Sequence, residues 1–173
     1  MKSGDCTRFQ FCPKCGGRLT VKKLDHLPRQ VCQECGFIFY QNSKPTASAI
    51  ITNSQGQLLL VKRNMNPRKG YWDLPGGFLE EGEDPIKGLK REMKEELNVN
   101  VKVGSLVGIY IDDYSCSYQS KTLNIAYVAK PLKGKMTPMD DVSEIKWFSK
   151  TKIPWKQLAF PWMHAVLRDW LGR

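Results

Sequence analysis

No stretch of this 173-residue chain comes near the roughly 20 consecutive apolar residues of a helical membrane span, which argues against a place in the bilayer. The opening segment, Met1 to Gln10, is too polar for a secretory signal peptide, so a soluble, intracellular, cytoplasmic protein is expected. Internal repeats and low-complexity tracts are absent. Acidic side chains are scarce: 17 Asp and Glu stand against 27 Lys and Arg, a formal charge of +10. Such an excess favours anionic partners, either phosphate-rich small molecules or nucleic acid, without choosing between them. Much of it comes as short scattered pairs such as Lys22-Lys23 and Lys62-Arg63, a pattern that solubility alone would equally explain. Apolar residues make up 41% of the chain, enough for one domain or for a domain with a small appendage.

Four of the six cysteines stand in two CxxC knuckles, FCPKCGG and VCQECGF, which hold Cys12, Cys15, Cys32 and Cys35. The separation between Cys15 and Cys32 suits a zinc ribbon. Gly16 and Gly36 end the knuckles and let the backbone turn its N–H groups toward thiolate sulfur. Four thiolates close the coordination shell, so zinc here would be structural. A segment this short buries too little apolar surface to fold unaided, and the metal would supply much of its stability. Disulfides are the alternative, disfavoured without a secretory signal. Cys6 and Cys116 are read as bystanders, and His26, between the knuckles, is not needed as a ligand. Lys14, Arg18, Lys22, Lys23 and Arg29 would suit the ribbon to nucleic acid; packing or homodimerisation are equally open roles.

The chain is read as a zinc ribbon over residues 1–40, a turn-rich linker over 41–45 (YQNSKP supplies the punctuation) and a second domain over 46–173. In that domain Thr46 to Asn53 and Gln57 to Arg63 are β-branched and apolar around Asn-Ser-Gln-Gly, which predicts a hairpin. Trp72 to Gly77 reads as a short strand, with Trp72 in the core. Val101 to Asp112 and Leu123 to Lys130 read as strands joined by a polar stretch with Tyr114, Tyr118 and Lys121, and Ile145 to Phe148 as another. Trp162 to Leu171 is an amphipathic helix with Met163, Val166, Leu167 and Trp170 on one side. The order strands, helix, strands, helix predicts an α/β sandwich: a mixed sheet with helices on its faces.

The densest stretch is Gly76 to Val99, GGFLEEGEDPIKGLKREMKEELNV. Asp84 and Pro85 read as N-cap and first helical residue. Ile86, Leu89, Met93 and Leu97 then recur at three- and four-residue steps, an apolar stripe for burial against a sheet. Glu92, Glu95 and Glu96 share another face about a third of a turn away, at the lip of the core. Three such carboxylates repel one another, and a divalent cation reverses the sign. Hard oxygen ligands suit magnesium or manganese, which leave positions for water and substrate phosphates. A solvated Glu/Lys helix with Lys87, Lys90 and Lys94 interleaved is the ordinary alternative.

The full spacing goes further. Gly77, five residues, Glu83, seven residues, then Arg91-Glu92-Met93-Lys94-Glu95-Glu96-Leu97-Asn98-Val99 resembles the Nudix box, the signature of hydrolases acting on nucleoside diphosphates linked to another moiety. The family pattern has Gly where this chain has Asn98, a helix-end position that usually takes the left-handed conformation, for which Asn is the next best residue. The resemblance implies the Nudix α/β/α sandwich. Ribbon and box together resemble the subset that includes NADH pyrophosphatases and plant FAD and ADP-ribose pyrophosphatases. The SQPWPFP array of the first group is replaced by IYIDDYSCSYQSKTLNI, while FYQNSKP, WDLPGG and LAFPW are more like the second.

What the resemblance implies is a metal-dependent hydrolase that splits an ADP-ribose-, FAD- or NADH-type pyrophosphate to AMP and a second phosphate product. Removal of a nucleotide cap from RNA and non-catalytic nucleotide sensing are the alternatives. Glu92, Glu95 and Glu96 are the expected magnesium or manganese ligands, with the Gly76 carbonyl and Glu83 completing or bridging the site and Arg91 orienting a glutamate. Asp141 or Glu144 is the candidate further acid, as ligand or base. Tyr110, Tyr114 and Tyr118 are candidates to stack on a purine, and Arg63 and Arg68 to contact phosphate.

Overall fold

The computed structural model describes residues 9–115 and 120–173; Cys6, Cys116 and Tyr118 lie outside the described residues. The ribbon comes first. Strands β1 (Leu19–Leu24), β2 (Leu27–Cys32) and β3 (Ile38–Phe39) form an antiparallel sheet in that order. Asp25 and His26, both at positive φ, make the two-residue turn between β1 and β2, so His26 serves the hairpin.

The remaining elements are β4 (Lys44–Ile51), β5 (Leu58–Arg63), β6 (Trp72–Asp73), β7 (Gly76–Phe78), α1 (Pro85–Leu97), β8 (Val101–Ser115), β9 (Ser120–Pro131), β10 (Val142–Phe148) and α2 (Trp162–Leu171). They form two sheets, β7-β4-β9-β8 and β10-β5-β6. The pairing of β4 with β9 is parallel and its neighbours are antiparallel, which makes the larger sheet mixed.

The predicted hairpin between β4 and β5 is only partly formed. Its turn is present, with Asn53 Oδ1 accepting from the N–H groups of Gln55 and Gln57 at 3.0 Å and a bridge from Thr52 to Leu58. Beyond that bridge the strands part into different sheets. The reason is burial on both faces. Ile50, Leu58 and Leu60 pack with α2, whereas Ala47, Ala49, Ile51, Leu59 and Val61 pack with α1. A strand buried on both sides has no solvated face, and each here gains more from its own partners within the α/β/α sandwich.

The segment read as one strand, Trp72 to Gly77, is likewise two. β6 pairs with β5 and β7 with β4, so the chain crosses from one sheet to the other at Leu74-Pro75. Trp72 is buried, as expected of a core residue. β8 and β9 run further than their polar ends suggest, and Asp113 pairs with Lys121 at 2.8 Å across the added length. Asp112 Oδ2 accepts from the Trp162 N–H at 2.9 Å and caps α2, whose own N-cap, Pro161, provides no side-chain bond.

Helix α1 starts and stops as its residues dictate. Asp84 accepts from the N–H groups of Ile86 and Lys87, and Asn98 ends the helix in the left-handed region at φ 51°. Leu89, Met93 and Leu97 are fully buried. Ile86 is 39% exposed, so the buried stripe begins one turn later than the periodicity implied. Among the described residues no helix is long and apolar enough to cross a membrane. Since Met93 is sealed beneath β4 and β5, Met93→Ala should cost about 2–5 kcal/mol of unfolding free energy, read from the midpoint shift in urea.

Candidate active site

The crossing between sheets builds one wall of a cleft. Gly76 sits at φ +139°, and a Cβ there would lie 2.1 Å from the Ala47 carbonyl oxygen. Only glycine fits. Its N–H donates to Glu96 Oε2 at 2.9 Å, fastening the end of α1 to β7. A Cβ on Gly77 would fall 2.5 Å from the Glu92 carboxyl, so this glycine makes the space Glu92 occupies. Gly88 does the same for Glu83, which a Cβ would approach to 2.8 Å, a role the sequence reading missed.

Arg91 joins the box together. Its Nε and Nη2 donate to the two oxygens of Glu83 at 2.9 Å each, Nη1 reaches Glu92 at 2.7 Å and Glu95 at 2.8 Å, and Nη2 also reaches the Phe78 carbonyl at 3.0 Å. Hydrogen bonds from this guanidinium hold the Glu83 carboxyl down at about 2. A depressed carboxylate stabilises the fold fully above its ordinary value of 4.5 and ceases to as pH falls through about 2.

The cleft has a volume of about 270 Å³. Asp73, Glu80, Glu92, Glu95, Glu96, Asp140 and Asp141 line it, and Arg63 is the one basic residue among the lining. Burial pushes Glu96 well above the ordinary glutamate range, and the neighbouring charges of Glu92, Asp141 and Asp73 add to it against the Gly76 N–H. Burial raises Glu92 in the same way. Asp73 is pushed up to about 6 by burial even with Arg63 beside it. A cavity that disfavours its own negative charges is one that a bound cation relieves. The donor set is all oxygen, which fits magnesium or manganese rather than a thiophilic metal.

The structure separates the sequence candidates. Asp141 lines the cleft with Glu92, Glu95 and Glu96; Glu144 pairs with Lys62 at 3.1 Å and faces the outside of β10 instead. Two backbone bonds from the preceding loop, Thr137 N–H to Leu97 O and Met139 N–H to Glu96 O, tie Asp141 to the end of α1. Tyr114 lines the cleft, stacked on Phe160 at 5.3 Å and edge-on to Phe78 at 5.3 Å. Tyr110 is absent from that lining: its hydroxyl donates to Asp169 at 2.6 Å, and burial and this bond push it up to about 12. Arg63 is already engaged, with Asp73 at 3.1 Å and the Pro67 carbonyl at 2.8 Å, and its guanidinium lies 5.1 Å over Phe160. Arg68 is exposed, stacks over Tyr71 and does not line the cleft.

Two further residues that no sequence motif marks, Thr46 and Asn124, line the cleft. Thr46 Oγ1 donates to Asn124 Oδ1 at 2.8 Å, and Asn124 Nδ2 donates to Thr122 Oγ1 and the Tyr110 carbonyl. Thr46 and Asn124 face each other across the parallel pair, a register invisible before β4 and β9 meet.

In the ribbon the four knuckle sulfurs lie within 4.8 Å of one another. Cys12 to Cys35 is 3.8 Å and Cys15 to Cys32 is 3.5 Å. Zinc–sulfur bonds of about 2.3 Å in a tetrahedron give edges of about 3.8 Å, so the cluster fits zinc. The Lys14 and Gly17 N–H groups point at the Cys12 and Cys15 sulfurs at 3.4 Å, as thiolate ligands require. No fourth position stays open, and the zinc such a cluster holds is structural.

Fold and site define a Nudix domain behind a zinc ribbon, and the chain belongs to the Nudix family. The family model described as NUDIX domain matches residues 42–171, and the zinc-ribbon model described as Nudix N-terminal matches residues 10–41. The ADP-ribose pyrophosphatase of Methanocaldococcus jannaschii is 32% identical over 70% of this chain and 69% of its own length. The NAD-capped RNA hydrolase NudC of Pseudomonas aeruginosa is 28% identical over 84% of this chain, which spans about half, 49%, of that relative. A crystal structure of a Nudix hydrolase from Nitrosomonas europaea superposes with a TM-score of 0.77 at 33% identity, covering 92% of this chain and 89% of that one.

If zinc organises the ribbon, stripping it with a strong chelator should collapse amide-exchange protection in β1 to β3 while β4 to β10 keep theirs. Retained protection in the ribbon after verified zinc loss would contradict that.

Proposed function

We propose that this chain hydrolyses the pyrophosphate of a nucleoside diphosphate derivative of the ADP-ribose, FAD or NADH type, releasing AMP and a second phosphate product. The observation that carries the reading is charge segregation. Seven of the 17 acidic residues line one cleft with a single one of the 27 basic residues, so the rest of the chain carries ten acids against 26 bases. An acidic cavity in a basic protein has use for cations, and a pyrophosphate reaches it only in their company.

Glu92, Glu95 and Glu96 would hold magnesium or manganese, with the Gly76 carbonyl and Glu83 at the edge of the set. Such ions, when bound, neutralise phosphate charge as Lewis acids and acidify a coordinated water. Arg91 keeps the carboxylates aimed by spreading one guanidinium across Glu83, Glu92 and Glu95. Asp141, which lines the same cleft, is assigned as the further ligand or the acceptor of the attacking water's proton. Tyr114, with Phe78 and Phe160, offers the aromatic wall for a base, and Arg63 the positive edge beside it. Residues 46–173 are assigned as the catalytic domain, 1–40 as the ribbon and 41–45 as the link.

NAD-capped RNA is the second reading. Its support is the NudC relative, whose similarity runs over 146 residues and 84% of this chain. Incubation with magnesium or manganese and ADP-ribose, FAD, NADH or NAD-capped RNA separates the readings by products. AMP from the small molecules supports the first; a 5′-monophosphate RNA as the preferred product supports the second; binding without any product identifies a sensor and overturns both. Replacing Glu95 and Glu96 together with Gln should lower kcat by about 10²–10³-fold, equivalent to the several kcal/mol such ions supply, and abolish manganese binding followed by electron paramagnetic resonance. Unchanged turnover in that variant would defeat the assignment of the ligands.

A further inference from the structure

The ribbon carries a surface that the cleft chemistry does not use. Cross-strand partners in a sheet share a face, and so do residues two apart along a strand. Lys22 stands opposite Arg29, and the register of β2 with β3, Gln30 to Phe39, brings Tyr40 beside Arg29. Arg18 has the same parity as Lys22, and Phe11 bridges to Arg18. Three cations and two aromatic rings therefore occupy one face. Two contacts confirm the grouping: the Arg29 guanidinium lies 5.0 Å over the Tyr40 ring and that of Arg18 lies 5.4 Å over Phe11.

The rings are not buried by these contacts. Phe11 is 56% exposed and Tyr40 53%, high values for large side chains with nothing else to do. Cys32, by parity, lies on the opposite face of β2 from Arg29. The Asp25 turn closes the far end of the hairpin, and none of the strand residues on the basic face is acidic; Glu34, outside the strands, lies against Gly17. Exposed π-faces interleaved with guanidinium and ammonium groups match a flexible polyanion whose bases are unpaired, because phosphates take the cations and bases stack on the rings.

We propose that this face of the ribbon binds single-stranded nucleic acid. The proposal does not rest on the pyrophosphatase reading, because the probe is an uncapped strand that offers the cleft nothing to cleave. A fluorescein-labelled single-stranded RNA of about 12 nucleotides is titrated with the zinc-loaded full chain, and anisotropy is followed from 50 to 300 mM KCl. Three phosphate contacts predict a slope of log K against log salt of about −2, at about −0.7 per contact on single strands. The double variant Arg18→Gln, Lys22→Gln should reduce that slope by about 1.4 and weaken binding at least tenfold at 50 mM KCl. Tyr40→Ala should weaken it about tenfold with the slope unchanged, since stacking is neutral. Both variants should keep one zinc per chain and the same turnover on small nucleotides as the parent chain.

Duplex RNA of equal length should compete at least tenfold less well, its bases being hidden in the stack. Absence of binding at 50 mM KCl, parental affinity in both variants, or duplex competing as well as single strand would each overturn the proposal. Loss of pyrophosphate hydrolysis with RNA binding intact would count against the cleft assignment alone.

Discussion

Carboxylates brought this close repel, and one guanidinium holds them in place. Arg91 donates to Glu83, Glu92 and Glu95 and to the Phe78 carbonyl, so a single side chain spans the loop before α1, the helix itself and strand β7. A lysine could not do this: its point charge lacks the planar fork that meets Glu83 with two parallel bonds. Of the box carboxylates Glu83, Glu92, Glu95 and Glu96, Arg91 leaves out Glu96, and the Gly76 N–H secures it instead. These two devices hold the carboxylates of the box in a fixed arrangement.

The placing of the box depends on the splitting of the sheets. Because β6 and β7 belong to different sheets, the short crossing between them is held from both sides, and Pro75 contributes only its carbonyl, to the Ala49 N–H at 2.8 Å. The crossing delivers Asp73 and Gly76 to one cleft from opposite ends of four residues. The aromatic wall of Phe78, Tyr114 and Phe160 comes from three distant parts of the chain, and packing alone brings it to the same opening.

Charge is sorted at the scale of the whole chain. Anionic groups concentrate in one cleft, and most of the cations lie outside it. A chain with a net charge of +10 thus keeps an acidic cavity and a basic exterior apart without the two cancelling. The ribbon contributes to the second half of that division with Arg18, Lys22 and Arg29 on one face.

Local rules were enough wherever the determinant is local. Asp84 and Asn98 cap α1 because capping depends on a few neighbouring residues, and the two CxxC knuckles bring their sulfurs together because each knuckle preforms half the cluster. The spacing of Gly77, Glu83, Arg91, Glu92, Glu95 and Glu96 was legible for the same reason: one helix and its preceding turn carry it. What a linear pattern could not decide is which strand pairs with which. The apolar runs of β4 and β5 look the same whether they pair with each other or separate, and only burial by helices on both faces chose separation. Tertiary packing likewise put the Thr46–Asn124 pair in the cleft lining, kept Asp141 at the cleft while Glu144 pairs with Lys62, and gave Tyr114 rather than Tyr110 to the aromatic wall. Contacts between residues many positions apart depend on how whole layers pack, and no short window of residues holds that information.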